Sequence, residues 1–145
     1  MKKNENIIIF KNDRIGDLIP SVAAINLIID NNQDKKIIIY LSNINYKMKF
    51  LFEKKNVEVI EVKYSLSIIN RISILLFFLM NKISDVYIMR PKNFFFLLPI
   101  FFFYKKIQFF ALCVNSKNNY RRPKNFFRKY LSNYVINDRE TKKIR

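Results

Sequence analysis

Histidine and tryptophan are absent from this 145-residue chain, glycine and cysteine occur once each, and proline occurs four times. Each scarcity removes chemistry. Without histidine there is no Cys/His zinc site and no Ser/His/Asp set, and the single cysteine, Cys113, forms no intramolecular disulfide. One glycine builds neither a Walker-type loop nor a Gly-x-Gly-x-x-Gly fingerprint. No apolar run reaches the ~20 residues that span a bilayer. Residues 72–80 and 94–104 come nearest, and Lys105 and Lys106 separate the second from the apolar residues after it. After Met1, Lys2 and Lys3 the chain turns polar at 4–6 before a short apolar run at 7–10. A secretory signal needs a core of roughly 7–15 apolar residues, so none is expected. Nothing in the sequence argues for an oxidising compartment.

What is present is hydrophobic and basic. Half of the residues are hydrophobic, enough at this length for the core of one domain and not of two. The net charge of +16 and pI of about 10.0 favour anionic partners: phosphates, sugar acids, anionic lipid or nucleic acid. Lys, Asn, Ile, Phe and Tyr are all abundant, however, a mixture that A/T-rich coding produces without selection for a basic surface.

Short β-branched or aromatic runs recur at 7–10, 37–41, 57–62, 85–89 and 107–110, and most gaps between them are long enough for a helix. That is a βα repeat. The runs lack strict alternation, which suits strands covered on both faces in a parallel sheet with helices above and below. Helices are predicted over 20–30, 44–54, 67–80, 94–104 and 123–131, with Pro99 expected to kink or break the fourth. Polar stretches at 30–36 and 115–122 read as turns or loops. The phenylalanines at 94–96 and 101–103 would ring a helix completely, which means burial or a membrane surface. The basic-aromatic tract 118–130 has a pattern that binds nucleic acid, but it carries no nucleic-acid fold signature and reads more plainly as a solvated helix with Phe126, Phe127 and Tyr130 inward.

The lone Gly16 lies in Lys11-Asn-Asp-Arg-Ile-Gly-Asp17, between the first predicted strand and the first predicted helix. Glycine tolerates a positive φ and lets a ligand approach the backbone, so this turn is the first candidate site. In open α/β sheets ligands gather beyond the carboxyl ends of the strands. Asp17 reads either as a helix N-cap or as a catalytic or ligand-contacting carboxylate. Pro20 weakens the cap, because it would then stand at N3 with no N–H to donate.

Ile7-Ile-Ile-Phe-Lys-Asn-Asp-Arg-Ile-Gly-Asp-Leu-Ile-Pro-Ser-Val-Ala-Ala-Ile25 resembles the opening of the family 9 glycosyltransferases, the lipopolysaccharide heptosyltransferases and their relatives. Those begin with a hydrophobic strand, a short basic or polar turn ending in Gly-Asp, and an apolar helix. Asp85-Val-Tyr-Ile-Met-Arg-Pro-Lys-Asn93, the apolar stretch after it and Lys105-Lys-Ile-Gln-Phe-Phe110 are similar to a later strand, helix and strand of that family. The resemblance implies a Rossmann-like parallel sheet flanked by helices, corresponding to the N-terminal, acceptor-binding half of a GT-B enzyme. It implies that Asp17 matches the position of the general base, and that Gly16, Lys11, Arg14 and Ser21 contact substrate, Lys11 and Arg14 by holding an anionic acceptor such as a sugar acid.

It further implies a nucleotide-sugar donor, ADP-linked and heptose-type, a lipid-linked glycan acceptor, and no cofactor or metal. An inverting transfer needs no metal in principle, since helix dipoles and basic side chains can stabilise the nucleotide leaving group. The place implied is the cytoplasm, at the inner face of a membrane. The sequence also departs from the family. Ala23 stands where members often carry proline, and Pro20 where they usually do not. The second, nucleotide-sugar domain with its Asp-x-Gly-x-x-His signature is missing, since the chain has no second glycine and no histidine. The chain alone is therefore expected not to transfer sugar, as a fragment, half of a split enzyme completed by a separate second domain or chain, or a decayed copy. The rival reading is a non-catalytic basic α/β module that binds membrane, a protein partner or nucleic acid.

Overall fold

The computed structural model describes residues 5–90, 92–114, 131 and 133–137. The predicted helix at 123–131, the tract 118–130 and the loop at 115–122 lie, but for Leu131, outside the described residues. Two compact units divide the chain, Met1–Ser84 and Asp85–Arg145.

The first unit is built on β1 (Asn6–Lys11), β2 (Lys36–Ser42) and β3 (Val57–Val62), parallel and in the order β3-β2-β1. All six residues of β1 are buried, as is all of β2 after Lys36. Burial of every residue requires cover on both faces, which explains runs without alternation. The register sets Ile8 beside Ile38 and Phe10 beside Tyr40. β3 is more exposed, with Glu58 and Glu61 outward, as suits a strand bordered by solvent.

Chain direction reverses after β1 through a helical segment in three pieces: α1 (Ile15–Leu18), a 3-10 turn (Ile19–Ser21) and α2 (Val22–Asn31). The prediction of one helix from residue 20 is corrected here. Helical structure begins at Ile15, and Pro20, which has no N–H to give, lies in the tighter 3-10 turn between the two α-helices. α2 buries Ile25 and Ile29. The turn after it is stapled by Asn56, whose side-chain amide donates to the carbonyls of Asn32 (3.2 Å) and Lys35 (3.0 Å).

The helix predicted over 44–54 is a 3-10 helix, Tyr46–Phe52. Of its seven residues only Phe52 is buried, so no apolar stripe holds a longer α-helix against the sheet. α3 (Ile68–Met80) forms as predicted. Its N-cap Ser67 accepts from the Asn70 N–H (3.1 Å) while the Asn70 side chain accepts from the Ser67 N–H (3.4 Å), a reciprocal cap. Phe78 of α3 stacks on Phe10 (6.3 Å between centroids), and Phe10 on Tyr40 (5.1 Å), so α3 covers that face of the sheet. The Tyr40 phenol is pushed up to about 12, first by burial and then by the Glu58 carboxylate, and stays neutral in the core.

β4 (Ile83–Ile88) begins at the end of the first unit and runs into the second, where it pairs in parallel with β5 (Gln108–Val114), itself parallel to β6 (Asn133–Asn137). β6, a run of three apolar residues between asparagines, is absent from the strands expected from sequence, and β5 continues four residues beyond its expected end. α4 (Asn93–Phe101) keeps Pro99 inside the helix, near its end, rather than breaking there. Phe95, Phe96, Leu98, Pro99 and Phe102 are buried, so part of the phenylalanine-rich stretch is core, while Phe101 and Phe103 are exposed. Parallel strands with helices in their connections make an α/β, Rossmann-like architecture. Among the described residues no helix is long and apolar enough to cross a membrane.

Candidate functional site

The loops that leave the carboxyl ends of β1, β2 and β3 are tied to one another. At the end of β1 the Lys11 ammonium lies 2.6 Å from the Asp13 carboxylate, and both residues are buried, as is Asn12 between them. The Ser42 hydroxyl, at the end of β2, donates to the Asp13 carbonyl (2.6 Å) and accepts the Asn45 N–H (3.2 Å). Asn45 closes the cluster. Its carboxamide oxygen accepts from the Ser42 N–H (2.7 Å), and its amide donates to the Lys11 carbonyl (2.9 Å) and more weakly to the Asp13 carboxylate (3.4 Å). Beyond β3, the Tyr64 N–H donates to the Asn43 side chain (2.9 Å), and the Arg14 guanidinium stands over the Tyr64 ring, 6.0 Å from its centroid.

Polar groups at these depths are costly unless bonded, and the mutual hydrogen bonds fix the backbone of residues 11–14 from beneath. The residues carried on that rigid base are presented outward. Arg14 is the extended N-cap of α1, and Arg14, Gly16 and Asp17 are exposed. Asp17 occupies the third position of α1, where its N–H donates to the Arg14 carbonyl (3.1 Å). The N-cap alternative for Asp17 is thereby replaced: the cap is Arg14, three residues earlier, and Asp17 is an acid in the first helical turn. Ser21 is half-buried, and its hydroxyl turns back to the Asp17 carbonyl at 3.4 Å.

The five sequence-nominated residues are neighbours in the chain, and the structure divides their surroundings. Arg14, Gly16 and Asp17 face solvent, whereas the Lys11 ammonium is directed inward to Asp13. Asp13, Ser42 and Asn45 are the members that sequence reasoning missed. The signal available was Ser42-Asn-x-Asn45 directly after an apolar strand, residue types that bond their own backbone in turns.

Gly16 corrects the expectation that its position requires glycine. Its backbone is helical without a positive φ, and a Cβ added there would meet nothing within 4 Å. Gly16→Ala is expected to raise stability by about 0.5–1 kcal/mol, through the lower entropy of the unfolded chain and better helix propensity. Thermal or urea unfolding checks this, and a fall in stability would show that the glycine is needed for folding. The open space over Gly16 instead leaves its backbone accessible from outside.

No group of three His, Cys, Asp or Glu side chains among the described residues could hold a metal ion. Comparison of the chain with protein-family models, curated proteins and solved structures finds no match.

Proposed function

We propose that this chain forms the acceptor side of a GT-B type glycosyltransferase, with the Asp17 carboxylate as general base for transfer of a heptose-type sugar to a lipopolysaccharide or related surface glycan. One observation carries the reading. Asp17 is exposed in the first turn of α1, beyond the carboxyl end of a buried parallel strand, where α/β sheets bind ligands, and the loop that leads into that helix is held by the buried Asp13, Ser42 and Asn45. In the step assigned to it, Asp17 takes the proton of an acceptor hydroxyl while that oxygen attacks the anomeric carbon of the donor. The bond from that carbon to the nucleotide breaks with inversion, and the nucleotide leaves with the electron pair. In this reading the reaction runs in the cytoplasm.

Arg14 supplies the anion-holding charge in this reading. It is exposed and lies within the same turn as Asp17, whereas the ammonium of Lys11 is directed to Asp13. An NMR titration with deacylated lipopolysaccharide core bearing a sugar acid should shift the amides of residues 13–18. Arg14→Ala should weaken that binding about tenfold, the loss of one charge-assisted hydrogen bond. Shifts elsewhere, or none, would refute the assignment of this face to the acceptor.

A further inference from the structure

α3 is apolar on its outside as well as its inside. Ile74 and Phe78 are the residues it buries. At 100° per residue the exposed Ile68, Ile69, Ile72, Leu76, Leu79 and Met80 fall within one arc of about 120°, centred opposite the buried pair. These six side chains are 49% to 82% exposed. The arc contains no charged residue, and only the Ser73 hydroxyl borders it. An amphipathic helix on a water-facing surface carries polar residues there, so this arc is an apolar surface that water alone does not explain.

We propose that this outer face of α3 seats on an anionic lipid bilayer. The surrounding charge selects that occupant. Between Glu61 and Asp85 the chain contains Lys63, Arg71 and Lys82 and no further acidic residue, and the whole chain carries +16. Lys82 pairs with Glu5 at 2.7 Å; Lys63 precedes the helix in the chain, and Arg71 falls about 60° outside the arc on the helix itself. Basic residues beside a bare aliphatic face are the signature of a helix lying in the interface of an anionic membrane. A second copy of the chain would bring a further +16 against the first, and an arc of aliphatic side chains offers no hydrogen bonds to specify a protein partner. The second unit carries the same chemistry independently: Phe101, Phe103 and Tyr104 are exposed at the end of α4, with Lys105 and Lys106 next in the chain. At 13 residues α3 is too short to span, so it lies in the surface. Membrane seating rests on α3 and stands apart from the glycosyl-transfer reading.

The test uses the full chain and flotation with vesicles of zwitterionic lipid alone or with about one part in four anionic lipid. The chain should float with the anionic vesicles and far less with the zwitterionic ones, and high salt should weaken its binding. The double variant Ile72→Asp/Leu76→Asp, with an unchanged circular-dichroism spectrum, should bind at least about tenfold more weakly. Because the chain has no tryptophan, Leu76→Trp gives an unambiguous reporter. Its emission should shift to the blue and be quenched by brominated acyl chains, whereas that of Gln33→Trp, in the turn after α2, should not. Failure of the chain to float, equal binding by the double variant, or an unquenched Trp at 76 would overturn the proposal. So would a soluble dimer that the double variant dissociates, which would assign the face to self-association.

Discussion

Asp13→Ala is expected to lower the stability of the first unit by about 3 kcal/mol, read as a shift of the urea midpoint with an unchanged slope. The size reflects the group left behind. Lys11 is 4% exposed, and its ammonium lies 2.6 Å from the carboxylate that the substitution removes. A buried ammonium deprived of its counter-charge pays for desolvation that the pair had offset, and Asn45 loses an acceptor as well. Removing both charges together should behave differently. Lys11→Met with Asp13→Leu should recover most of the loss, because apolar replacements of similar volume relieve both desolvation terms. A small effect of Asp13→Ala, below about 1 kcal/mol, would place Lys11 in a solvated setting and dissolve the claim of a rigid base beneath residues 14–17.

The fold was legible where burial dictated residue type. Ile7 to Phe10 and Ile37 to Leu41 are continuous apolar runs because both faces are covered, and β1 and β2 fall on them almost residue for residue. The apolar run at 67–80 was legible as α3, whereas the reciprocal Ser67–Asn70 cap that starts it is a contact first seen in the structure. Where stability comes from context, the reading failed. The 46–52 segment has helix-like composition, yet with only Phe52 inward it tightens to a 3-10 helix. β6 is a short run flanked by asparagines, and its parallel pairing with β5 is a long-range fact that local pattern does not contain.

The candidate site was legible as a stretch of chain and less so in the surroundings of its residues. The order strand, turn, Gly-Asp, helix located the loop that the structure finds beyond β1. Sequence could not tell that Lys11 turns inward and Arg14 outward, because two basic residues three apart in a turn are alike until Asp13 supplies the partner. Nor could it tell that Gly16 is helical and unobstructed, since scarcity of a residue type says nothing of the backbone at the one position that has it. Ser42 and Asn45 belong to a different loop from Lys11, and only the parallel register of β1 with β2 brings their positions together.

Asp17→Asn is expected to reduce sugar transfer by about 10²–10⁴-fold, the usual worth of a positioned general base. The change is nearly isosteric at an exposed helical position, so stability should move by no more than about 0.5 kcal/mol and acceptor binding should persist. The loss should therefore appear in kcat rather than in KM. The measurement that bears most directly on the account is donor-dependent transfer from an ADP-linked heptose to deacylated lipopolysaccharide core. It is made with the chain alone and with an added nucleotide-sugar-binding domain, comparing the native chain with Asp17→Asn. The account predicts transfer that requires this chain and collapses in the variant. Full turnover by Asp17→Asn, or no transfer in any combination by a folded chain, would contradict it.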